Sequence, residues 1–238
     1  MAYQSNFQRK EIKYLLSPAQ FSAVRAETEA RCEWDRYPTA TVTSLYYDTP
    51  DSLLIRRSIE KPVYKEKLRV RVYGAATEDA TAYVEIKKKY EGIVYKRRVG
   101  LNVREAAAWL RGETRRAYTQ IEREIECFLD FYKTLAPAML IACERDSFLS
   151  PADGDLRITF DRNIRFRQSD LSLLSGTRGE LLLEQGTVLM EAKAPGTLPD
   201  WFIRMLSGNG VVPSGFSKYG AAYQKRLSEE LKGGKKYA

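Results

Sequence analysis

The stretch Lys65–Tyr73, KEKLRVRVY, has the alternation of a β-strand with two different sides. Side chains of a strand point alternately to opposite sides of the sheet. One side therefore carries Lys67, Arg69 and Arg71, whereas the residues between them are leucine and valine. The pattern predicts a strand that packs its apolar side on a core and presents a row of cations on the other side.

Two further stretches repeat this pattern. In YVEIKKK, Glu85 and Lys87 share a side, and in IVYKRRVGL, Lys96 and Arg98 share one. A solvated polar side is the ordinary explanation of such strands. The alternative is that the cations turn inward and line a barrel that binds a polyanion.

The composition favours a folded protein with an anionic partner. The chain has 238 residues, 44% of them hydrophobic and 29% charged, which allows a packed core. Its 39 basic and 31 acidic residues give a net charge of +8, so we expect nucleic acid, phosphate compounds or an anionic membrane as the partner. The absence of histidine excludes histidine-based catalysis and histidine metal sites.

Other features of the chain predict a cytoplasmic protein. Cys32, Cys127 and Cys143 have no metal-like spacing and fit a reducing compartment. The first residues, MAYQSNFQRKEIKY, lack the apolar run of a signal peptide, and no stretch approaches the roughly 18 apolar residues of a membrane span. The aromatic residues do not interleave with the basic ones, so we expect no nucleic-acid partner. The sequence indicates no oligomeric state.

Further strands and helices surround the three charged strands. Together they indicate an α+β fold built on an antiparallel barrel. We expect one domain of residues 1–231, followed by a disordered basic tail of residues 232–238. The other predicted strands are 8–16, 41–47, 139–148, 156–166, 180–183 and 187–192, and the predicted helices are 18–31, 51–59, 103–110, 118–135, 198–206 and 217–231.

Several polar residues have the positions of helix caps. Ser17 precedes a proline and is expected to be the N-cap of the first helix. Asp48 and Asp51 are interpreted as caps of the helix that follows them. The two aromatic residues before them, Tyr46 and Tyr47, are expected to lie in the core.

The later strands also carry basic residues at alternate positions. Turned outward, such a belt would repel itself. Turned inward, it needs an anion, because a buried unpaired charge is costly. A polyphosphate chain fits, since its many oxygens accept hydrogen bonds from arginine and lysine. The belt consists of Lys13, Arg69, Arg71, Lys87, Lys96, Arg145, Arg157 and Lys193, joined by the carboxylates Glu11, Glu85 and Glu191.

In these stretches the chain resembles the polyphosphate polymerase (VTC) domain of the vacuolar transporter chaperone complex, a member of the triphosphate tunnel metalloenzyme superfamily. The resemblance covers nearly the whole chain, from Phe7 to about Tyr223. Each stretch is weak alone, but nine in the family's order are specific. They are FQRKEIKY, SLYYDTPD, KLRVRVYG, YVEIKKK, VYKRRV, CERDSF, LRITFD, LMEAKAPG and FSKYG.

The resemblance implies an eight-stranded antiparallel β-barrel tunnel with flanking helices, which holds a triphosphate and a divalent metal ion, Mn²⁺ or Mg²⁺. Glu191 takes the metal-ligand position, and Lys218 lies at the tunnel mouth. The implied phosphate ligands are Lys13, Arg69, Arg71, Lys87, Lys96, Arg145 and Arg157, to which strand alternation adds Arg98 and Lys193. The expected catalytic residues are Arg69, Arg71, Lys87, Lys96 and Glu191.

Two carboxylates keep alternative roles. Glu85 is either a second metal ligand or the counter-ion of an arginine on the neighbouring strand. Glu191 is either the metal ligand or a salt-bridge partner of Lys193 or Arg157.

The resemblance implies an enzyme that transfers the γ-phosphate of ATP to a growing polyphosphate chain. Related triphosphatases carry the motif ExExK on the first strand. This chain has Arg9, Glu11 and Lys13 at those positions, which favours a polymerase over a two-metal hydrolase. The alternatives are a hydrolase of inorganic triphosphate or nucleoside triphosphates at the same site, and a polyphosphate-binding module without activity.

Overall fold

The computed structural model describes residues 10–60, 62–91 and 93–234. Arg9 and residues 235–238 of the predicted tail lie outside them. The strands are β1 Lys10–Leu16, β2 Glu33–Asp48, β3 Tyr64–Tyr73, β4 Thr81–Tyr90, β5 Ile93–Asn102, β6 Ala136–Ser150, β7 Leu156–Arg167, β8 Glu180–Leu181, β9 Val188–Ala194 and β10 Pro213–Ser214. The helices are α1 Pro18–Arg31, α2 Leu53–Ile59, α3 Val103–Leu110, α4 Gln120–Tyr132, α5 Asp200–Gly208 and α6 Lys218–Gly234. Across these three stretches, no helix has both the length and the apolar character that crossing a membrane requires.

Several helices begin where the sequence supplies a capping side chain. Ser17 Oγ accepts a hydrogen bond from the Gln20 N–H at 3.3 Å, and the Gln20 side chain accepts one from the Ser17 N–H at 3.1 Å. This reciprocal capping box is followed by Pro18, which lacks a donor that the first turn would leave unpaired. Asn102 and Thr119 begin α3 and α4 with the same box. The predicted cap at Ser17 is therefore confirmed.

The strands form one large sheet in the order β10-β1-β9-β7-β6-β2-β3-β4-β5, and β8 pairs with β7. The pairings of β1 with β9, of β3 with β4 and of β4 with β5 are antiparallel. The predicted α+β class is confirmed. The eight-stranded barrel is only approximate, because the described part of the chain forms ten strands and no pairing joins β5 to β10. Alternation within a strand predicts its two sides but not whether the edge strands pair, which barrel closure requires.

The chain forms two compact units. The first contains residues 10–40, 143–164 and 183–216, and the second contains residues 41–142, 165–182 and 217–234. The strands β2, β6 and β7 contribute residues to both units. Each unit has its own apolar core.

The core of the first unit packs the apolar sides of β1, β7 and β9 against α1 and α5. Tyr14 lies opposite Met190 in the register of β1 and β9, and both are at most 1% exposed. Phe160 and Phe202 are fully buried beside them. Burial of a side chain of this size contributes about 1.5–3 kcal/mol.

The core of the second unit lies on the apolar side of β3, β4 and β5. Leu68 and Val84 are fully buried there, together with Trp109 of α3 and Ile125 of α4. Because side chains alternate, the basic residues at the positions between these apolar ones lie on the opposite side of the sheet from this core. The packing of the apolar positions thereby fixes the direction in which these basic residues point.

Asp48, at the end of β2, connects two helices of the second unit. Its carboxylate is 1% exposed and accepts from the Leu54 N–H at 2.8 Å and from the Ile55 N–H at 3.0 Å, in the first turn of α2. It also accepts from the Tyr219 hydroxyl of α6 at 2.8 Å. The predicted capping role is confirmed for Asp48, whereas Asp51 lies at the surface and bonds to other side chains.

Replacing Asp48 by asparagine should weaken this connection. Asparagine has one acceptor oxygen instead of two and adds a buried NH₂ group beside backbone donors. We expect the free energy of unfolding to fall by about 1–3 kcal/mol in urea titrations. The matched variant Asp51→Asn, at the exposed position, should leave it nearly unchanged. Equal stability of the two variants would show that the Asp48 carboxylate does not hold α2 and α6.

Candidate functional site

The register of β2 to β5 brings five predicted phosphate ligands onto one side of the second unit. Two rows of cross-strand neighbours cross this side, and Arg71 lies opposite Ser44 on the neighbouring strand. We call the residues of the two rows, together with Arg71, the cationic side. The rows are Tyr46–Arg69–Glu85–Arg98 and Lys67–Lys87–Lys96.

The middle of the cationic side is buried. Glu85 is 1% exposed and Arg71 is 8% exposed. Arg71 Nε donates to Ser44 Oγ at 3.0 Å, and the side chain of Arg69 is only 17% exposed. A solvated side would leave these groups in water, so that explanation is wrong for the centre of the side. Lys96, toward its margin, remains 38% exposed.

Glu85 is the counter-ion at the centre of the cationic side. Its carboxylate lies 2.7 Å from Arg69 Nε and 2.5 Å from Lys96 Nζ. Burial would raise the pKa of Glu85, but the attraction of Arg69 and Lys96 holds that pKa well below its ordinary value. Burial and the neighbouring arginines lower the pKa of Lys96 to about 8, against the attraction of Glu85. Of the two roles considered for Glu85, the geometry therefore supports the role of counter-ion.

Tyr46 belongs to the cationic side, which the sequence analysis did not predict. It is 6% exposed, and its hydroxyl accepts from Arg69 Nη1 at 3.3 Å. The core assignment holds for Tyr47, which packs with the apolar residues of the second unit. Strand alternation contained the signal, since Tyr46 shares a side with Ser44 and Asp48 and Tyr47 does not.

Lys218 is the first residue of α6 and is half-buried. The preceding residue, Ser217, accepts from the Gly220 N–H at 3.3 Å and lies 3.2 Å from Lys67 Nζ. The start of α6 thus lies beside one row of the cationic side. The position of Lys218 at a tunnel mouth stays a prediction.

In the first unit, Glu191 lies between two predicted phosphate ligands. Its carboxylate is 3.8 Å from Lys13 Nζ and 3.2 Å from Lys193 Nζ. Glu11 lies 3.5 Å from the same Lys13 nitrogen. The salt bridge to Lys193 that the sequence analysis considered is therefore present.

The two other predicted ligands of the first unit are each paired with a carboxylate. Arg145 forms a two-pronged salt bridge with the fully buried Asp161, at 2.6 and 2.7 Å. Burial opposes the charge of Arg145, but Asp161 raises its pKa well above the ordinary value. Arg157 Nε lies 2.9 Å from Asp35. Their roles as phosphate ligands stay predictions.

The carboxylates of the first unit suit a divalent metal ion in part. In the residues that the structure describes, no group of three or more acidic or cysteine side chains is close enough to hold an ion. Mg²⁺ commonly binds one or two carboxylates and takes its remaining ligands from phosphates and water. Glu191, with Glu11 beside the same lysine, fits that pattern.

A family model described as the VTC domain matches residues 8–226. The chain belongs to the VTC domain family. No curated protein matches it in sequence.

Solved structures share the fold of this VTC domain. A candidate adenylate cyclase from Bacillus halodurans superimposes with a TM-score of 0.54 and 14% identity, over 88% of this chain and 95% of that chain. A candidate adenylate cyclase from Vibrio parahaemolyticus has a TM-score of 0.49 and 12% identity, over 92% and 99% of the two chains. A candidate adenylyl cyclase from Hippeastrum, described as having a dominant triphosphatase activity, has a TM-score of 0.49 and 15% identity, over 90% and 95%. At these identities the similarity concerns the fold alone, and the first of the three supports it.

Replacing Glu85 by glutamine should make the stability of the VTC domain less dependent on pH. At pH 7 we expect the free energy of unfolding to fall by about 3 kcal/mol, at the lower end of the range for a broken buried pair because Lys96 is partly exposed. The ion pair stabilises the wild type fully above the ordinary pKa of 4.5, and this contribution is lost as the pH falls toward the lowered pKa. The difference between wild type and variant should therefore shrink between pH 6 and pH 3 in urea titrations.

The control for this variant is Glu78→Gln, which removes a carboxylate from an exposed pair with Arg104. It should change stability little at either pH, because exposed pairs contribute little. A difference between wild type and Glu85→Gln that stays constant with pH would contradict the role of Glu85 as an ionised counter-ion.

Proposed function

We propose that this VTC domain is a metal-dependent polyphosphate polymerase, which transfers the γ-phosphate of ATP to the end of a polyphosphate chain. One observation carries the proposal beyond the family. The cationic side holds six basic residues, five in its two rows and Arg71 beside them, and one carboxylate. These are Lys67, Arg69, Arg71, Lys87, Lys96 and Arg98, with Glu85.

The charge of the cationic side suits a chain of phosphates. Six cations minus one carboxylate leave a formal excess of five positive charges. Each phosphate of the chain supplies negative charge and several acceptor oxygens. Arginine can bind two of these oxygens with its planar fork, and lysine supplies a compact charge. The burial of Arg69 and Arg71 strengthens such interactions, because water screens them less.

The proposed transfer needs no nucleophilic side chain. An oxygen of the terminal phosphate of the chain attacks the γ-phosphorus of ATP, a new P–O bond forms, and the bond from that phosphorus to the bridging oxygen breaks. The electron pair of the broken bond leaves with ADP, and the chain grows by one phosphate. The basic residues hold both reactants in line and neutralise the charge that develops in the transition state.

A divalent ion, when bound, would neutralise part of the charge of the phosphates. Glu191 would hold it, with Glu11 as a second carboxylate in the same unit. Lys13 and Lys193 lie against the Glu191 carboxylate and would bind phosphate oxygens beside it.

A hydrolase of triphosphates is the second candidate. The observation that favours it is the pair of carboxylates, Glu11 and Glu191, at 3.5 and 3.8 Å from the Lys13 nitrogen. Two carboxylates can orient a water molecule, which would then replace the phosphate chain as the attacking group.

Product analysis separates the candidates. We expect long phosphate chains on a gel after incubation with ATP and Mn²⁺. Orthophosphate without chains would identify a hydrolase, and neither product would identify a binding module.

In all three cases we expect calorimetry to detect tripolyphosphate binding, with an affinity that falls at least about tenfold between 50 and 200 mM salt, because the contacts are between charges. Binding that is absent or indifferent to salt would contradict the cationic side as an anion site.

Replacing Glu191 by glutamine should separate metal binding from phosphate binding. We expect turnover at a fixed Mn²⁺ concentration to fall at least about 100-fold. Even the replacement of a residue that only hydrogen-bonds to a metal ligand lowers metal affinity or activity by about 10–100-fold. Tripolyphosphate affinity in chelator should stay equal or rise, because a negative charge leaves an anion site. The control is Glu144→Gln, an exposed carboxylate of the same unit. Normal turnover of Glu191→Gln would show that Glu191 serves only in salt bridges.

A further inference from the structure

Tyr46 holds a buried hydroxyl among cations. The residue is 6% exposed, and the hydroxyl accepts a hydrogen bond from Arg69 Nη1 at 3.3 Å. Arg71 and Lys67, on the same strand as Arg69, act on it electrostatically. A hydroxyl can both accept and donate, so this contact uses only its acceptor capacity.

The hydrogen of the Tyr46 hydroxyl has no acceptor in the part of the chain that the structure describes. The groups around it are mostly donors: Lys67, Arg69 and Arg71 of β3 carry no acceptor atom in their side chains. The nearest carboxylate partner of Arg69, Glu85, is bonded to Arg69 and Lys96. A buried donor without an acceptor is costly, and an anion on the cationic side would supply the missing oxygen.

Two neighbouring residues hold the ring of Tyr46 in position. Tyr219 of α6 stacks on it, with ring centroids 4.6 Å apart and an angle of 24° between the planes. Tyr219 is itself fixed by its hydrogen bond to Asp48 at 2.8 Å. The Tyr46 hydroxyl therefore has little freedom to reach another acceptor, as a preorganised ligand requires.

We propose that Tyr46 is a phosphate ligand, whose hydroxyl donates a hydrogen bond to an oxygen of the triphosphate or polyphosphate chain. The inference rests on the proposed function, because it assumes that this anion binds the cationic side. It adds a neutral donor to a site whose other ligands are cations.

The ionisation of Tyr46 supports this role. Burial would raise the pKa of Tyr46, but the charges of Arg69, Arg71 and Lys67 and the hydrogen bond from Arg69 lower it to about 8. The other titratable group against its ring is Tyr219, whose pKa burial and Asp48 raise well above the ordinary value. Without an anion, Tyr46 can therefore lose its proton and interact with the neighbouring cations as a phenolate. With an anion bound, Tyr46 must keep this proton to donate a hydrogen bond to the anion.

Anion binding should consequently take up a proton at Tyr46. At pH 8 about half of the free protein carries the phenolate, so binding takes up about half a proton at this residue. Lys96, with a pKa of about 8, takes up protons as well. The number of protons taken up at Tyr46 is therefore the difference in proton uptake between the wild type and a variant that lacks only the hydroxyl.

The variant Tyr46→Phe keeps the ring and its stacking on Tyr219. Calorimetry with tripolyphosphate should give about tenfold weaker binding than wild type at pH 7, where the hydrogen bond is lost. The ratio of the two affinities should fall to about one near pH 9, because the wild type must then first protonate its phenolate. At pH 8, measured in two buffers of different ionisation enthalpy, the variant should take up about half a proton less.

The matched control is Tyr47→Phe, the same change one residue along on the opposite side of β2. It should bind tripolyphosphate and take up protons as the wild type does. An affinity of Tyr46→Phe that is lower by the same factor at every pH, with unchanged proton uptake, would show a merely structural role and overturn the proposal. Unchanged affinity of Tyr46→Phe would also overturn it.

A measurement on the wild type alone tests the same inference if the variant does not fold. Absorbance of tyrosinate should reveal one tyrosine that ionises near pH 8, and tripolyphosphate should suppress that step. An ionisation that tripolyphosphate leaves unchanged, although calorimetry detects binding, overturns the role of Tyr46 alone. If calorimetry detects no binding, the proposed function itself is wrong and the inference is wrong with it.

Discussion

The cationic side of the second unit depends on one buried carboxylate. Glu85 is 1% exposed and lies against Arg69 and Lys96, on the two strands that flank its own. Without it, cations on three adjacent strands would repel one another across the sheet. One carboxylate nevertheless does not balance the charges of the basic residues around it, so the cationic side keeps a formal excess of positive charge. The same arrangement stabilises the strands and leaves charge for an anion.

The charges of the first unit are arranged differently. There Arg145 and Arg157 each lie against an aspartate, and Glu191 lies between two lysines. Positive and negative groups are therefore nearly matched, which suits a place where a metal ion and phosphates share ligands. In the second unit the excess charge suits binding and transition-state stabilisation.

The cationic side is positioned by residues that do not belong to it. The apolar residues that alternate with the cations pack on α3 and α4, and this packing sets the direction of the cations of the cationic side on β3 to β5. Asp48 holds the first turn of α2 and the Tyr219 hydroxyl of α6, and Tyr219 stacks on Tyr46. Sites built on such rigid elements keep their geometry better than sites on loops.

The sequence by itself determined the α+β class, the family and the two sides of each charged strand, because alternation and capping are local properties of the chain. Strand alternation therefore collected Arg69, Arg71, Lys87, Lys96 and Arg98 correctly on one side. Only the tertiary structure decided which cations are paired, such as Arg145 with Asp161, and that no pairing joins β5 to β10 in the residues it describes. It also placed Tyr46 among the cations. These outcomes depend on the register between strands distant in sequence and on which helix covers each side, and neither is encoded within a single strand.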